Sequence, residues 1–337
     1  MKIKLLYIGN KLSKHGNTQT SIETLGHFLE KEGYELIYAS SKKNKIVRML
    51  DMIFTTLRFH RKARYVLIDT YSTQNFWFAF VIAQLCRILG AKYITKLHGG
   101  DLPNRLNRSP YLSDIIFKNA FKIIAPSGYL FSHFSEKYPE NLLLIANTVA
   151  INKYPFFKRE SIEPKLLWVR SFSKIYNPKM AIQVLSELKK KYSNAQLCMV
   201  GPDKENLIPN CVAFAEELNV EVQFTGKLSK KKWVELSKEY SVFINTTYFD
   251  NTPVSVIEAM ALGLPVVSTN VGGIPFLLED KKNALLVSEN DVFQMVQSIE
   301  LLLKDSQLRS TIVDNARALV EDFDWETVKE KWFEILK

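Results

Sequence analysis

The sequence predicts an α/β protein of two doubly wound, Rossmann-like parallel-sheet domains. Three observations carry this. Short apolar strand-like runs alternate with amphipathic helical stretches from end to end; the alternation restarts after a polar, proline-containing passage at residues 151–164; and 337 residues, 47% of them hydrophobic, suffice for two cores of ordinary size.

Element by element, KLLYIG opens the chain as a strand and a helix is expected from about Thr18 to Lys31. The runs YELIYA and ARYVLIDT follow, then a buried helix near Phe76 to Leu89, then KYITKLHG, FKIIAPS and NLLLIAN. After residue 164 come KLLWVRS, a helix at Lys179–Lys191, AQLCMVG, VEVQFTG, a helix at Lys231–Glu239, SVFINTT and LPVVSTN. Nearly continuous apolar strands are what a parallel sheet covered on both faces requires. The expected division is residues 1–155, residues 156–320, and a terminal helix over 321–337 that returns to the first domain. Open parallel sheets bind ligands outside the carboxyl ends of their strands, so two facing sheets would hold a substrate in a central cleft, and strand-end residues become the candidates.

Composition narrows the class. Cys86, Cys198 and Cys211 are odd in number and scattered, and read as reduced thiols of a cytoplasmic protein. The first apolar run stops at Gly9, too short for a signal-peptide core. The run Phe76 to Cys86 is broken by Gln84 and falls short of the ~18 apolar residues of a membrane span. Residues 1–155 carry 22 Lys and Arg against 10 Asp and Glu, so the net charge of +10 belongs to the first half. Lys42, Lys43, Lys45, Arg48, Arg58, Arg61, Lys62 and Arg64 surround the apolar run MLDMIF, as in a helix lying on an anionic membrane surface; a solvated basic helix is the alternative. No recognition module accompanies the charge, so nucleic acid is not expected as a partner.

The most informative stretch is FDNTPVSVIEAMALGLPVVSTNVGGIP. Thr252 and Pro253 read as a turn and Val254–Ala261 as a helix stopped by Gly263 and Pro265, which puts Glu258 inside the helix and Asp250 in the loop ahead of it. The free N–H groups of such a helix start favour an anion, and flanking carboxylates can accept hydrogen bonds from sugar hydroxyls. The plain alternative is a surface glutamate and a turn-starting aspartate.

This segment resembles the signature of the retaining GT-B glycosyltransferases of family 4 (glycosyl transferases group 1), two glutamates seven residues apart followed by EAMA-x-G-x-PVV. The resemblance implies the GT-B fold and transfer of a hexose from a UDP-, GDP- or ADP-sugar to a glycan or lipid-linked acceptor, with retention and without a required metal or other cofactor, as in bacterial cell-surface polysaccharide synthesis. It implies that Glu258 holds the nucleotide ribose, that Asp250 replaces the glutamate facing the donor hexose, and that the Thr252, Pro253, Val254 and Ser255 backbone lies at the diphosphate. Asp250 is about one methylene shorter than the family residue, and Pro253, standing where many members have glycine, offers no amide. Arg170, ending the strand KLLWVR, matches the diphosphate-clamping arginine. The family's partner lysine is absent; Lys174 is the nearest candidate, and Asn177-Pro178 stands where the family has Lys-Gly. His98, in HGGD, matches a strand-end histidine facing the donor sugar, with Asp101 beside it to hold an acceptor hydroxyl or tie the loop. Asn147 matches the segment leading into the linker and reads as structural. Gly16, before the first helix, is a candidate for close approach to the diphosphate, a plain turn being the alternative. The resemblance names no enzymic nucleophile: a leaving phosphate oxygen takes the acceptor proton, and Asp250 positions the sugar. Asp322-Phe323-Asp324 spells a metal-binding D-x-D but reads as the cap of the last helix, and no metal site is expected. Two other functions fit the same residues, an inactive nucleotide-sugar-binding partner subunit and a sugar-nucleotide epimerase of the same architecture.

Overall fold

The computed structural model describes residues 2–15 and 20–337. The chain divides into two compact units, residues 1–148 with 328–337, and residues 149–327. Gly16 lies outside the described residues.

The first unit is built on β1 (Lys4–Ile8), β2 (Glu35–Ala39), β3 (Tyr65–Tyr71), β4 (Tyr93–His98), β5 (Lys122–Ala125) and β6 (Leu142–Leu144), in the order β2-β1-β3-β4-β5-β6 with every pair parallel. The helices are α1 (Ser21–Lys31), α2 (Lys45–Phe59), α3 (Phe76–Ile88), α4 (Leu102–Arg108), α5 (Pro110–Phe117) and α6 (Gly128–Ser135). Helix α1 starts at Ser21, three residues later than the periodicity suggests, because the Glu23 carboxylate accepts the Thr20 N–H at 3.1 Å and fixes the first turn there. Helix α3 buries Phe76, Phe78, Ala79, Ile82, Ala83 and Cys86. Among the described residues, no helix is long and apolar enough to cross a membrane.

The second unit carries β7 (Lys165–Val169), β8 (Gln196–Val200), β9 (Gln223–Gly226), β10 (Val242–Asn245), β11 (Val266–Thr269) and β12 (Leu285–Val287), ordered β12-β11-β10-β7-β8-β9, again all parallel. Its helices are α7 (Pro178–Lys189), α8 (Ile208–Glu217), α9 (Lys230–Leu236), α10 (Val254–Ala261), α11 (Val292–Lys304) and α12 (Ser306–Glu321). Strand periodicity assigns the two cores. Leu166 and Trp168 of β7 join Val242 and Ile244 of β10 on one face, while Leu167 and Phe243 join α10 residues on the other. Trp168 is fully buried and still satisfied, because its indole N–H donates to Thr246 Oγ1 at 3.0 Å.

Helix α13 (Trp325–Leu336) is capped by Asp324, whose Oδ1 accepts the Glu326 N–H at 3.0 Å. From Val328 onward it belongs with the first unit: Lys329 pairs with Glu32 and the Phe333 ring lies 6.1 Å from that of Tyr34.

At the end of β8, Gly201 lets the chain pass Arg170, since a Cβ there would lie 1.6 Å from the Arg170 carbonyl oxygen. Gly201→Ala therefore displaces the backbone that carries Arg170. The expected cost is roughly 2 kcal/mol or more, read as a lowered urea midpoint.

Candidate functional site

In the second unit the site forms where β7 and β10 run side by side and α10 begins. Arg170 follows the last residue of β7, and Asp250 lies in the loop between β10 and α10. The structure brings these two together as a direct ion pair, Nη2 to Oδ2, both side chains largely buried. Arg170 Nε also donates to Asn245 Oδ1 at 3.4 Å, and the guanidinium lies over the Tyr176 ring at 4.7 Å. The Asp250 loop is seated on two glycines. The Gly273 N–H donates to the Asp250 carbonyl at 2.7 Å, a Cβ at Gly273 would stand 1.9 Å from the Asn251 carbonyl oxygen, and Gly272 takes a left-handed φ of +55° against the same loop.

Helix α10 opens at Pro253, whose carbonyl accepts the Val256 and Ile257 N–H groups at 3.1 and 3.2 Å. Thr252 lies half-buried in the bend just before it. Pro253 has no N–H, so the donors left at this helix end are Val254 and Ser255, which make no hydrogen bond among the described residues. The Ser255 hydroxyl is buried and likewise without a partner. This is the chemistry of an anion site: free amides, the positive end of a helix, an unused hydroxyl and an arginine just past the end of β7, paired with the loop that leads into the helix. One turn further in, Glu258 is 3% exposed, and its Oε1 accepts from the Tyr154 hydroxyl at 2.7 Å and pairs with Lys230. Burial pushes the Tyr154 hydroxyl well above its ordinary range, with the Glu258 charge adding to the shift, so tyrosine stays a donor to the carboxylate.

Lys174 sits in a short turn after Arg170. Its ammonium is exposed, and it is its backbone N–H that is fixed, donating to Glu205 Oε2 at 3.0 Å. Asn177 takes a left-handed backbone, φ 45° and ψ 60°, the conformation a glycine accepts most readily, and its side chain caps α7. Lys230 and Tyr154 were not singled out from sequence. Lys230 is one of three consecutive lysines, and only the fold shows which of them meets Glu258.

In the first unit His98 ends β4 beside a buried polar cluster. Asp69 of β3 is registered against Lys96, and Tyr71 against His98. Asp69 Oδ1 accepts from His98 Nε2 at 2.9 Å and from the Tyr7 hydroxyl at 3.1 Å, while Lys96 donates to Ser21 Oγ and Asn147 Oδ1, both at 2.6 Å. Asn147 is thus a structural partner. Asp101 accepts from Asn104 Nδ2 at 2.8 Å and ties its own loop. Burial lowers the pKa of His98, opposed by Asp69, and keeps its imidazole neutral near pH 7. Among the described residues no group of three His, Cys, Asp or Glu is placed to hold a metal ion. One surface assignment is corrected. Arg48 is buried rather than facing out, because its Nη1 donates to Asn10 Oδ1 at 2.8 Å and its other nitrogens to the Lys42 and Lys43 carbonyls.

Comparison with known proteins agrees with this architecture. Residues 152–319, nearly the whole second unit, match the family model of glycosyl transferases group 1. A protein of Haemophilus influenzae described as an uncharacterized glycosyltransferase is 31% identical over 46% of this chain and 44% of its own. This chain belongs to the group 1 glycosyltransferases. Another relative of this group 1 member is the N,N'-diacetylbacillosaminyl-diphospho-undecaprenol α-1,3-N-acetylgalactosaminyltransferase of Campylobacter jejuni, 22% identical over 86% of this chain and 78% of that protein. The Anabaena protein HepE, solved with UDP and glucose, superposes with a TM-score of 0.77 over 99% of both chains at 16% identity, which shows the GT-B fold. The group 1 member spans less than half the length of several curated relatives that it matches, 44%, 29% and 49% for three of them.

Burial pushes the Lys96 ammonium down to about 8, with Asp69 opposing, from an ordinary value of 10.5. Between these values the unfolded chain holds a proton that the folded protein has released, so stability from this group rises with pH across the window and its burial cost is fully present below about pH 8. Urea midpoints of wild type and Lys96→Met measured from pH 7 to 10.5 are expected to shift in favour of wild type by up to about 3 kcal/mol.

Proposed function

We propose that this protein transfers a hexose from a nucleoside-diphosphate sugar to a glycan or lipid-linked acceptor, with retention of anomeric configuration and without a required metal, in the synthesis of a cell-surface polysaccharide. The observation that carries this reading is the open start of α10: two free amides and the unused Ser255 hydroxyl, with buried Glu258 one turn behind them. HepE, of the same fold, was solved with UDP and glucose, and the Campylobacter relative is named for a lipid-diphosphate-linked acceptor.

In this proposal the diphosphate lies at the Val254 and Ser255 amides and draws the Arg170 guanidinium, while Glu258 accepts the ribose hydroxyls. Asp250, released from Arg170, turns to the hexose. In the first unit His98 is proposed as a hydrogen-bonding residue for a sugar hydroxyl. As the bond from the anomeric carbon to the phosphate oxygen breaks, charge grows on the diphosphate, and fixed donors there stabilise the transition state more than the ground state. The acceptor oxygen forms the new bond to the anomeric carbon, and its proton passes to an oxygen of the departing phosphate. Lys174, exposed and close in sequence to Arg170, is proposed as a second cation for that charge.

The acceptor side is proposed to work at an anionic membrane surface, on the cytoplasmic face. Helix α2 leaves Ile46, Leu50, Phe54 and Leu57 at 73%, 60%, 61% and 47% exposure, spaced to fall on one face, with Lys43, Lys45, Arg58, Arg61 and Lys62 also exposed in the segment. Several basic residues at ~1 kcal/mol each, with apolar side chains entering the headgroup region, suffice to recruit such a protein.

Thermal stabilisation by UDP, GDP, ADP and their sugar conjugates tests the donor site without added metal. One nucleotide series is expected to raise the Tm of wild type and to lose at least half of that effect with Glu258→Ala; no stabilisation by any of them would remove the proposal's support. Cosedimentation with anionic vesicles tests the surface. Binding at low salt is expected to weaken tenfold or more at high salt or with Leu50→Glu/Phe54→Glu, whereas no binding at low salt sinks the membrane assignment.

A further inference from the structure

The Asp69 carboxylate is the one charge in strand β3. Its side chain is fully buried, whereas His98, in front of it, keeps 12% of its side chain exposed. Oδ1 takes both the His98 Nε2 and the Tyr7 hydroxyl, and Oδ2 is buried with no hydrogen-bond partner. Gly9 at the end of β1 leaves room for this carboxylate, since a Cβ there would meet Oδ2 at 2.6 Å. The imidazole is fixed from a second direction by stacking on Tyr71, with ring centroids 4.8 Å apart. Lys96 lies on the neighbouring strand at the register position of Asp69, but its hydrogen bonds go to Ser21 and Asn147, so Asp69 is left to the histidine and Tyr7.

We propose that Asp69 is a positioning residue that holds His98 as its Nε2–H tautomer and so presents the bare Nδ1 as a hydrogen-bond acceptor for a hydroxyl of the bound sugar. An ionised carboxylate only accepts, so a 2.9 Å contact requires the proton on Nε2. The other ring nitrogen then carries the lone pair. A neutral imidazole has one donor and one acceptor face, and a buried carboxylate that chooses between them sets which face a substrate meets. This rests on the assignment of His98 to the sugar made above.

The tautomer is read directly by long-range proton–nitrogen correlation NMR on the free protein labelled with nitrogen-15 histidine, the His98 signals being identified by their loss in His98→Phe. Wild type is expected to show a neutral ring protonated at Nε2, Asp69→Ala a mixture of both tautomers, and Asp69→Asn, whose amide oxygen still accepts, the wild-type pattern. In a transfer assay, Asp69→Ala is expected to lower kcat about ten- to a hundredfold with the donor KM little changed, and Asp69→Asn to restore most of it. An Nδ1–H tautomer in wild type overturns the proposal with no variant needed, as does an unchanged tautomer in Asp69→Ala. Should Asp69→Ala not fold, Asp69→Leu, closer in volume, carries the same test. Because the tautomer is read without donor, a protein that shows it yet binds no nucleotide sugar refutes the transfer activity and leaves the positioning role of Asp69 standing.

Discussion

Parallel pairing is the constraint on which the rest of this structure depends. Within each six-stranded sheet every strand runs the same way, so all strand-to-helix loops of a unit leave from one edge. Residues far apart in sequence thereby meet: Arg170 after β7, Asp250 after β10 and the start of α10 in the second unit, and Tyr7, Asp69 and His98 from three adjacent strands in the first. The price is that both faces of each sheet must be covered, which is why β7, β8 and β10 read as unbroken apolar runs rather than as alternating ones.

A second constraint is the handling of buried charge. Removing one partner from a buried pair is costly because the other is stranded, whereas exchanging one partner for another is not. Glu258 is held by Tyr154 and Lys230, and Arg170 by Asp250. Each charge that the proposed donor would use is thus kept satisfied by a protein group. A diphosphate approaching Arg170 replaces one anion with another, and ribose hydroxyls approaching Glu258 replace protein donors with ligand donors.

Much of this was legible in the sequence, for reasons that can be named. Pro253 and the Gly263-Leu264-Pro265 stop bracket α10, so its bounds of Val254–Ala261 were expected. Arg170 is a charge at the end of an apolar run, where a strand-end ligand group belongs. Other parts were hidden because they depend on three-dimensional register. Arg48 reads as one more basic surface residue until Asn10 and two carbonyls are seen around it. Lys230 is indistinguishable from its neighbours in Lys230-Lys231-Lys232. Asp69 and Lys96 are charges inside apolar strands, which marks them as special, but the partners of Asp69 follow only from the pairing of β3 with β4 and β1, and those of Lys96 from the approach of Ser21 and Asn147 to β4. Short helices such as α4, α5 and α8 each begin with a proline in the first turn and run ten residues or fewer, too brief for periodicity to announce them.

We propose that the Arg170 edge of the second unit is a nucleoside-diphosphate site. Titration calorimetry of wild type and Arg170→Met with a nucleoside diphosphate and with its parent nucleoside tests it most directly. The substitution is expected to weaken binding of the diphosphate about ten- to a hundredfold, the worth of one charge-assisted hydrogen bond, and to leave that of the nucleoside unaffected. Equal affinity of the two proteins for the diphosphate would contradict it.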